Sequence, residues 1–296
     1  MLPRSYYLDL SSSRLDADLE ILVASGGGGA VYKGTFARKE VALKAVTAAQ
    51  SDNKTREIAP GFIKEVILWK CIRHPNILPF LGVYQPDGKL NKRYIVSPWM
   101  ENGEISHYLK SNPKVDRVKL IIDIVHGIKY LHSPDINVVH GDLKPSNILV
   151  DEEGRACLAD FGLSRMKVAL SSVSVTSSPT AYTVRYAAPE RVFFYEYDLL
   201  STDLLKESDV FSLAMVMWQI FTDEVPFPKC KYSPAVSALI KGGKRPERLV
   251  EKTLERGLSD PIWDIMERCW SGVLEERPSL DEVLKRLPVR GTPRRK

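Results

Sequence analysis

The sequence predicts an α+β protein of two lobes, a small strand-rich one followed by a larger, mostly helical one. Three patterns carry that reading. Leu19 to Val46 is alternating and rich in Val, Leu and Tyr around a cluster of glycines, as short antiparallel strands are. After Gly103 apolar residues recur at helical spacing instead. Ser97 to Gly103 separates the two regimes and marks the join.

The elements follow in chain order. Leu19 to Val46 reads as strand, glycine turn, strand, strand, and Thr47 to Pro60 as a polar loop. Gly61 to Arg73 places Phe62, Ile63, Val66, Leu68 and Trp69 at helical spacing, which predicts the first helix. Ile77 to Tyr84 and Arg93 to Ser97 read as further strands. Val118 to His132 puts Leu120, Ile121, Ile124, Ile128 and Leu131 on one helical face. Val210 to Phe221 is apolar nearly all round, as a central buried helix must be. Ile262 to Trp270 and Leu280 to Leu287 are amphipathic helices. Ser171 to Thr183 is dense in Ser and Thr without either periodicity and reads as a mobile loop. No repeat of solenoid period is present.

Composition narrows the class. The chain has 296 residues, 44% hydrophobic and 27% charged, which suits one soluble domain of two lobes. The longest mostly apolar stretch, Leu213 to Phe221, is too short to cross a bilayer, and MLPRSYYLDLSSS lacks the apolar core of a secretion signal. Cys71, Cys157, Cys230 and Cys269 are widely spaced and form no CxxC, so reduced cysteines in an intracellular, cytoplasmic protein are expected rather than a redox or zinc site. Of the net charge of +5, Arg290, Arg294, Arg295 and Lys296 supply four, so the body is near neutral, against a nucleic-acid-binding face. No residue pattern sets an oligomeric state.

Chemistry concentrates in two strings. HGDLKPSN runs from His140 to Asn147, and Asp160, Phe161 and Gly162 follow. Between them NILVDEEGRACLA reads as two short strands joined by an acidic, Gly-containing turn, which brings Asp142, Lys144, Asn147 and Asp160 to one rim. One carboxylate for an acceptor hydroxyl, one cation for a moving phosphate, and an amide with a second carboxylate for Mg²⁺ suit phosphoryl transfer. A second region holds Ser25 to Gly29 between two strands, where glycines let backbone amides approach a polyphosphate, although a hairpin turn explains a glycine run equally well. Lys44, in VALKAV, sits among apolar neighbours, where a cation requires a partner unless it snorkels to the surface.

These strings resemble the catalytic loop and metal-binding motif of eukaryotic protein kinases, and the resemblance extends from about Leu19 to Leu287. It implies a kinase fold with a β-rich N-lobe carrying one helix, over 19–97, a hinge at 98–103 and a helical C-lobe over 104–290, flanked by an extension at 1–18 and a basic tail at 291–296. It implies that Asp142 orients the acceptor, that Lys144 neutralises the transferred phosphoryl, and that Asn147 and Asp160 hold Mg²⁺. Lys44 would bind the ATP phosphates and pair with Glu65 of the first helix. Gly26, Gly29, Val31, Ala42, Ser97, Pro98 and Met100 would line the ATP site. His140, Phe161 and Asp209 would be structural. Glu190, in Ala-Pro-Glu, would pair with Arg277. Lys144, Thr183 and Arg185 resemble the serine/threonine side of the family. HPNILPFLGV, CW and ERPS resemble its tyrosine-kinase-like group, in the form common among fungi.

The pattern is departed from in places. Ala24 replaces the first glycine, and Gly141 replaces the Arg that usually precedes the catalytic Asp and grips an activation-segment phosphate. Ser97, at the gatekeeper position, implies a deep adenine pocket, while Pro98 offers a carbonyl but no amide. The stretch from Arg191 to Glu207, with Tyr195, Glu196, Tyr197 and Asp198, is longer than usual and suits either a substrate contact or an inert loop. The reading is therefore a kinase that uses ATP and Mg²⁺ to phosphorylate Ser or Thr in protein substrates. The alternatives are a nucleotide-binding pseudokinase or scaffold, supported by Ala24 and Gly141, and a dual-specificity or tyrosine kinase, opposed by Lys144 and Thr183.

Overall fold

The structure is a computed structural model, and it describes residues 15–26, 29–45, 60–86, 93–160, 165–166, 183–197 and 205–288. The first lobe is a five-stranded antiparallel sheet with one helix. Its strands are β1 (Leu15–Gly26), β2 (Gly29–Phe36), β3 (Lys39–Ala45), β4 (Gly82–Tyr84) and β5 (Tyr94–Pro98), in the order β1-β2-β3-β5-β4. Helix α1 (Pro60–Cys71) lies between β3 and β4 in the chain. β1 starts at Leu15, upstream of Leu19 where the alternating pattern begins, because Leu15 to Ala17 pair with Gly34 to Phe36 of β2.

Alternation along β3 and β5 sorts the sheet into two faces. Val41, Leu43, Tyr94 and Val96 form one apolar cluster, joined by Tyr32, Phe36 and Tyr84. The opposite face carries the registered pairs Ala42–Ser97 and Lys44–Ile95, since residues directly across an antiparallel pair share a face.

The stretch Ile77 to Tyr84 does not form one strand. Only Gly82 to Tyr84 joins the sheet, and Ile77 makes a parallel bridge to Leu158. The preceding Asn76 is buried and directs this departure: its carbonyl accepts the Leu158 amide at 2.9 Å and its Nδ2 donates to the Ala156 carbonyl at 3.1 Å. Leu78 N then donates to Leu158 O at 2.9 Å. The segment between α1 and β4 is thus stitched onto residues 156–158, just before Asp160.

The second lobe is helical. It comprises α2 (Ile105–Ser111), α3 (Arg117–His132), α4 (Pro189–Val192), α5 (Lys206–Thr222), α6 (Ser233–Lys241), α7 (Val250–Thr253), α8 (Asp260–Cys269) and α9 (Leu280–Arg286). Two hairpin-like ladders interrupt it, β6 (Val138–Val139) with β9 (Arg165–Met166) and β7 (Ile148–Val150) with β8 (Ala156–Leu158). Asp116 starts α3 by accepting the amides of Val118 and Lys119. Ser279 and Glu282 form a capping box on α9. Helix α5 is buried from Ser208 to Thr222, as its all-round apolar sequence requires, and it is the axis against which α3 and α8 pack.

Arg277 and Glu190 close the base of the lobe. Their side chains are fully buried, and the guanidinium grips the carboxylate at both nitrogens, 2.6 and 2.9 Å. Ser208 Oγ adds a third hydrogen bond at 2.7 Å. Burial pushes the Glu190 carboxyl up, but the Arg277 bonds outweigh it and hold it below the usual carboxylate range. Among the described residues no helix is long and apolar enough to cross a membrane.

Two predictions follow from this packing. An alanine at Gly127, inside α3, would place its Cβ 2.8 Å from the Asn76 carbonyl and 2.9 Å from Leu158 Cδ1. Helix propensity alone favours alanine by ~1 kcal/mol, whereas overpacking costs ~1–3 kcal/mol, so Gly127→Ala is expected to lower the urea midpoint; a raised midpoint refutes the close contact. Arg277→Ala leaves a buried carboxylate alone and is expected to destabilise by ~3–5 kcal/mol. The folded Glu190 titrates below its unfolded value, so its contribution is full above about pH 4 and is lost as pH falls further. Thermal melts should therefore show a shallower acid-side loss in Glu190→Gln/Arg277→Met than in wild type.

Candidate functional site

Everything of chemical interest gathers where the β6–β7 connection meets the end of β8. Lys144 precedes a single 3₁₀ turn, Pro145–Asn147, which proline initiates without loss of a needed amide. That turn folds Asn147 back so that its Nδ2 donates to the Asp142 carbonyl at 2.8 Å and to Asp142 Oδ2 at 3.1 Å. Lys144 Nζ lies 2.6 Å from the same Oδ2. The other carboxylate oxygen, Asp142 Oδ1, is buried and has no partner among the described residues. Leaving a buried carboxylate oxygen unpaired is costly, so this atom is poised to accept a hydrogen bond from an incoming group.

Asp160 lies across the rim. Ala159 N donates to Asn147 O at 2.9 Å, which ties the two loops together. Asp160 has φ +62°, a left-handed conformation that Asp tolerates better than most residues, and it turns the chain at the end of β8. Lys44 reaches down from β3 to place Nζ 2.7 Å from Asp160 Oδ1. Both partners are largely but not wholly shielded from solvent.

One buried acid positions this whole loop. Asp209, in the first turns of α5, accepts His140 N at 2.8 Å, Gly141 N at 2.9 Å and His132 Nε2 at 2.8 Å. Burial favours the neutral acid, yet the His132 bond and the two histidines' field win and hold the carboxyl below its ordinary range. His140 is fully buried; its Nε2 meets the Ala159 carbonyl at 3.1 Å and its Nδ1 accepts Asp142 N at 3.3 Å. Gly141 has φ +76°, a backbone conformation that suits glycine.

Towards the join, Ser97 is buried at the end of β5, opposite Ala42. Val31 faces Lys44 across the β2–β3 ladder, and Gly26 faces Gly29 where β1 meets β2. Pro98 and Met100 are half-buried; the Met100 carbonyl accepts Gly103 N at 2.9 Å, and Trp99 N donates to the Glu40 carbonyl at 3.1 Å. Phe161 lies outside the described residues, as does the Ser- and Thr-rich segment from Ser171 to Tyr182. Glu65 falls within α1, but its side chain is outside the described ones, and so is that of Thr183.

Three contributors were not singled out from sequence. His132 is the third partner of Asp209, and its place in the last turn of a helix ending just before the loop was the available clue. Asn76 joins the lobes from within HPNIL. Gln219 accepts the Tyr186 hydroxyl and donates to Ser106 Oγ at 3.2 Å, linking α5, α2 and the segment before Ala188. A cavity of about 170 Å³, lined by Pro145, Gln219, Ser106 and Glu104 among others, opens beside the Asp142 rim rather than over it.

The donors fit nucleotide and metal. Asp160 and Asn147 present a carboxylate and an amide, hard oxygen ligands of the number Mg²⁺ takes from protein when phosphates and water complete its shell. The cysteines stay out of this site: burial pushes the Cys157 and Cys269 thiols up to about 12, so both remain protonated.

The sequence from 18 to 287 matches a family model described as protein tyrosine and serine/threonine kinase. Among similar proteins, serine/threonine-protein kinase STY46 of Arabidopsis thaliana is 30% identical over 269 residues, 90% of this chain and 42% of that protein. Serine/threonine-protein kinase TNNI3K of Homo sapiens is 29% identical over 290 residues, 97% of this chain and 32% of the relative. Serine/threonine-protein kinase VIK of Arabidopsis thaliana is 29% identical over 293 residues, covering 97% and 63%. The chain thus spans less than half the length of the first two.

If Asp209 positions the loop, removing it should disturb the site more than the fold's secondary structure. Asp209→Ala is expected to make the His140 and Gly141 amides exchange tenfold or more faster, with helix content retained by circular dichroism. Unchanged exchange at these amides would show that Asp209 does not hold them.

Proposed function

The chain belongs to the protein tyrosine and serine/threonine kinase family and, within it, to the tyrosine-kinase-like group, and we propose that it transfers the γ-phosphoryl group of ATP, with Mg²⁺, to Ser or Thr hydroxyls of proteins. The observation that carries this reading is the asymmetry of Asp142: one oxygen is held by Lys144 and Asn147, the other is buried and has no partner among the described residues.

Each residue then has a task. Asp142 Oδ1 accepts the hydrogen bond of the acceptor hydroxyl and takes its proton as the oxygen attacks. Lys144, held beside it, offsets negative charge on the transferring group. Asn147 and Asp160 would hold Mg²⁺, which supplies charge neutralisation between the β- and γ-phosphates. Lys44 exchanges its bond to Asp160 for the α- and β-phosphates, with Glu65 as its proposed second partner. Gly26 and Gly29 present backbone amides to the phosphates. Val31 and Ala42 flank the adenine, the carbonyl of Pro98 and the backbone of Met100 hydrogen-bond its edge, and Ser97 leaves room behind it. The kinase domain is assigned to 19–290, with 98–103 as hinge, and the free cysteines suit action in the cytoplasm. Gly141 and Ala24 favour the rival reading of a nucleotide-binding scaffold, which the first test below separates.

Asp142→Asn is expected to lower transfer to a Ser-containing peptide by ~10²–10⁴-fold while ATP affinity, read by fluorescent nucleotide, changes less than threefold or so. Retention of more than a few per cent of wild-type turnover would refute the role, and absence of turnover in wild type itself would favour the scaffold. Ser97→Phe is expected to exclude ATP-competitive compounds enlarged at the exocyclic amine while sparing ATP. Equal inhibition of the two proteins would remove Ser97 from the pocket wall.

A further inference from the structure

Two stretches of the sequence carry only positive charge. From Phe161 to Pro189 the charged residues are Arg165, Lys167 and Arg185; from Pro226 to Pro246 they are Lys229, Lys231, Lys241, Lys244 and Arg245. Neither segment contains an acidic residue, in a chain whose body is otherwise near neutral.

The structure joins Arg185 of the first stretch to the second and, through Gln219 and Pro145, to the loop that carries Asp142. Pro145, three residues from Asp142, shares a cavity wall with Gln219. Gln219 accepts the Tyr186 hydroxyl. The neighbouring Arg185 donates to the carbonyls of Pro226 at 2.6 Å, Phe227 at 2.9 Å and Cys230. Because its partners are neutral carbonyls, Arg185 keeps its charge uncompensated by any described carboxylate. Lys229 and Lys231 flank Cys230, and both are exposed. Neither has an ion-pair partner among the described residues, whereas Lys241, farther along, is taken by Glu196. Tyr232, 76% exposed, adds an aromatic ring beside Lys231.

From this juxtaposition of Arg185, Lys229 and Lys231, joined through Tyr186, Gln219 and Pro145 to the Asp142 loop, we infer that the protein recognises substrates by an acidic stretch next to the phosphorylated Ser or Thr. The inference rests on the proposed kinase activity and names the substrate class of that same site. Like charges gathered on one surface add to one local potential, which concentrates anionic peptides and repels cationic ones. The occupant is the substrate's own carboxylates; a phosphate on the enzyme's Ser-rich segment would compete for the same cations, so the test starts from phosphatase-treated enzyme.

The experiment uses two readouts on the full chain. Binding of a fluorescent peptide carrying one Ser flanked by Asp residues is measured by anisotropy against the same peptide with Asn for Asp, and transfer from radiolabelled ATP is measured on both and on a Lys-flanked version. The acidic peptide is expected to bind at least tenfold tighter than the neutral one, to weaken as salt rises from about 50 to about 300 mM, and to lose its advantage in Lys229→Glu/Lys231→Glu. That double variant should turn over the neutral peptide at the wild-type rate, since neither lysine belongs to the catalytic machinery. Equal binding of acidic and neutral peptides, a preference for the Lys-flanked peptide, or a preference unchanged in the double variant would overturn the inference. Tight, salt-sensitive binding of the acidic peptide without transfer to any peptide would support this surface and overturn the kinase reading instead.

Discussion

The loop from His140 to Asn147 is held by a single buried carboxylate. Asp209 sits inside the helical lobe with 1% of its surface exposed, and it spends both oxygens on atoms outside its own helix. A charge so placed is unfavourable unless its hydrogen bonds are complete, and here three donors complete them. The arrangement works in both directions. The loop amides would otherwise lack partners, because residues 140 and 141 belong to neither helix nor ladder. The carboxylate would otherwise be a buried unpaired ion. Each defect corrects the other, so the loop has one conformation compatible with the buried helix α5. From that fixed point Asp142, Lys144 and Asn147 follow within a few residues, and Asn147 passes the constraint on to Ala159 and Asp160.

Gly141 shows how backbone and electrostatics combine at one position. The loop needs a left-handed residue between His140 and Asp142, and glycine supplies φ +76° without steric penalty. Any side chain there would bear strain of ~1–3 kcal/mol, which a functional site can sustain but a glycine avoids. The same glycine removes the guanidinium that the family's usual residue would offer to a phosphate. The glycine thus meets the backbone's need, and Asp209 secures the loop through the His140 and Gly141 amides.

Much of this was legible in the sequence, for identifiable reasons. Helix α5 and helix α3 have long apolar patterns, and long patterns average out local exceptions. The strings around Asp142 and Asp160 were legible because their polar groups have no structural purpose on loops other than each other. What escaped was set by contacts distant in sequence. Ile77 looked like strand β4 because it is apolar and β-branched, but Asn76 docks that segment on β8, 80 residues away, and tertiary pairing decided its fate. Helix α2 spans Ile105–Ser111, too short for periodicity to speak. The start of β1 at Leu15 extends the alternation upstream of Leu19, since Leu15 and Ala17 are apolar and Asp16 and Asp18 polar, and pairing with Gly34 to Phe36 of β2 fixes where the strand begins. The Gln219–Tyr186 bond joins two residues that individually read as an ordinary helix amide and an ordinary loop aromatic.

Net charge was the least informative of the sequence quantities, for a physical reason. A field at a surface depends on which charges lie within roughly a Debye length, about 8 Å in physiological salt, and not on the sum over the chain. Several acids of this protein are already matched. Glu40 and Glu101 face Lys33, Asp223 faces Arg117 and Arg256, and Glu190 faces Arg277. Pairing of that kind removes an acid and a base together and leaves the remainder to whichever segment lacks acids. Here the remainder falls on the turn before Ala188 and on the loop after α5, the two segments that Arg185 ties together. A near-neutral body can therefore still present a strongly signed patch.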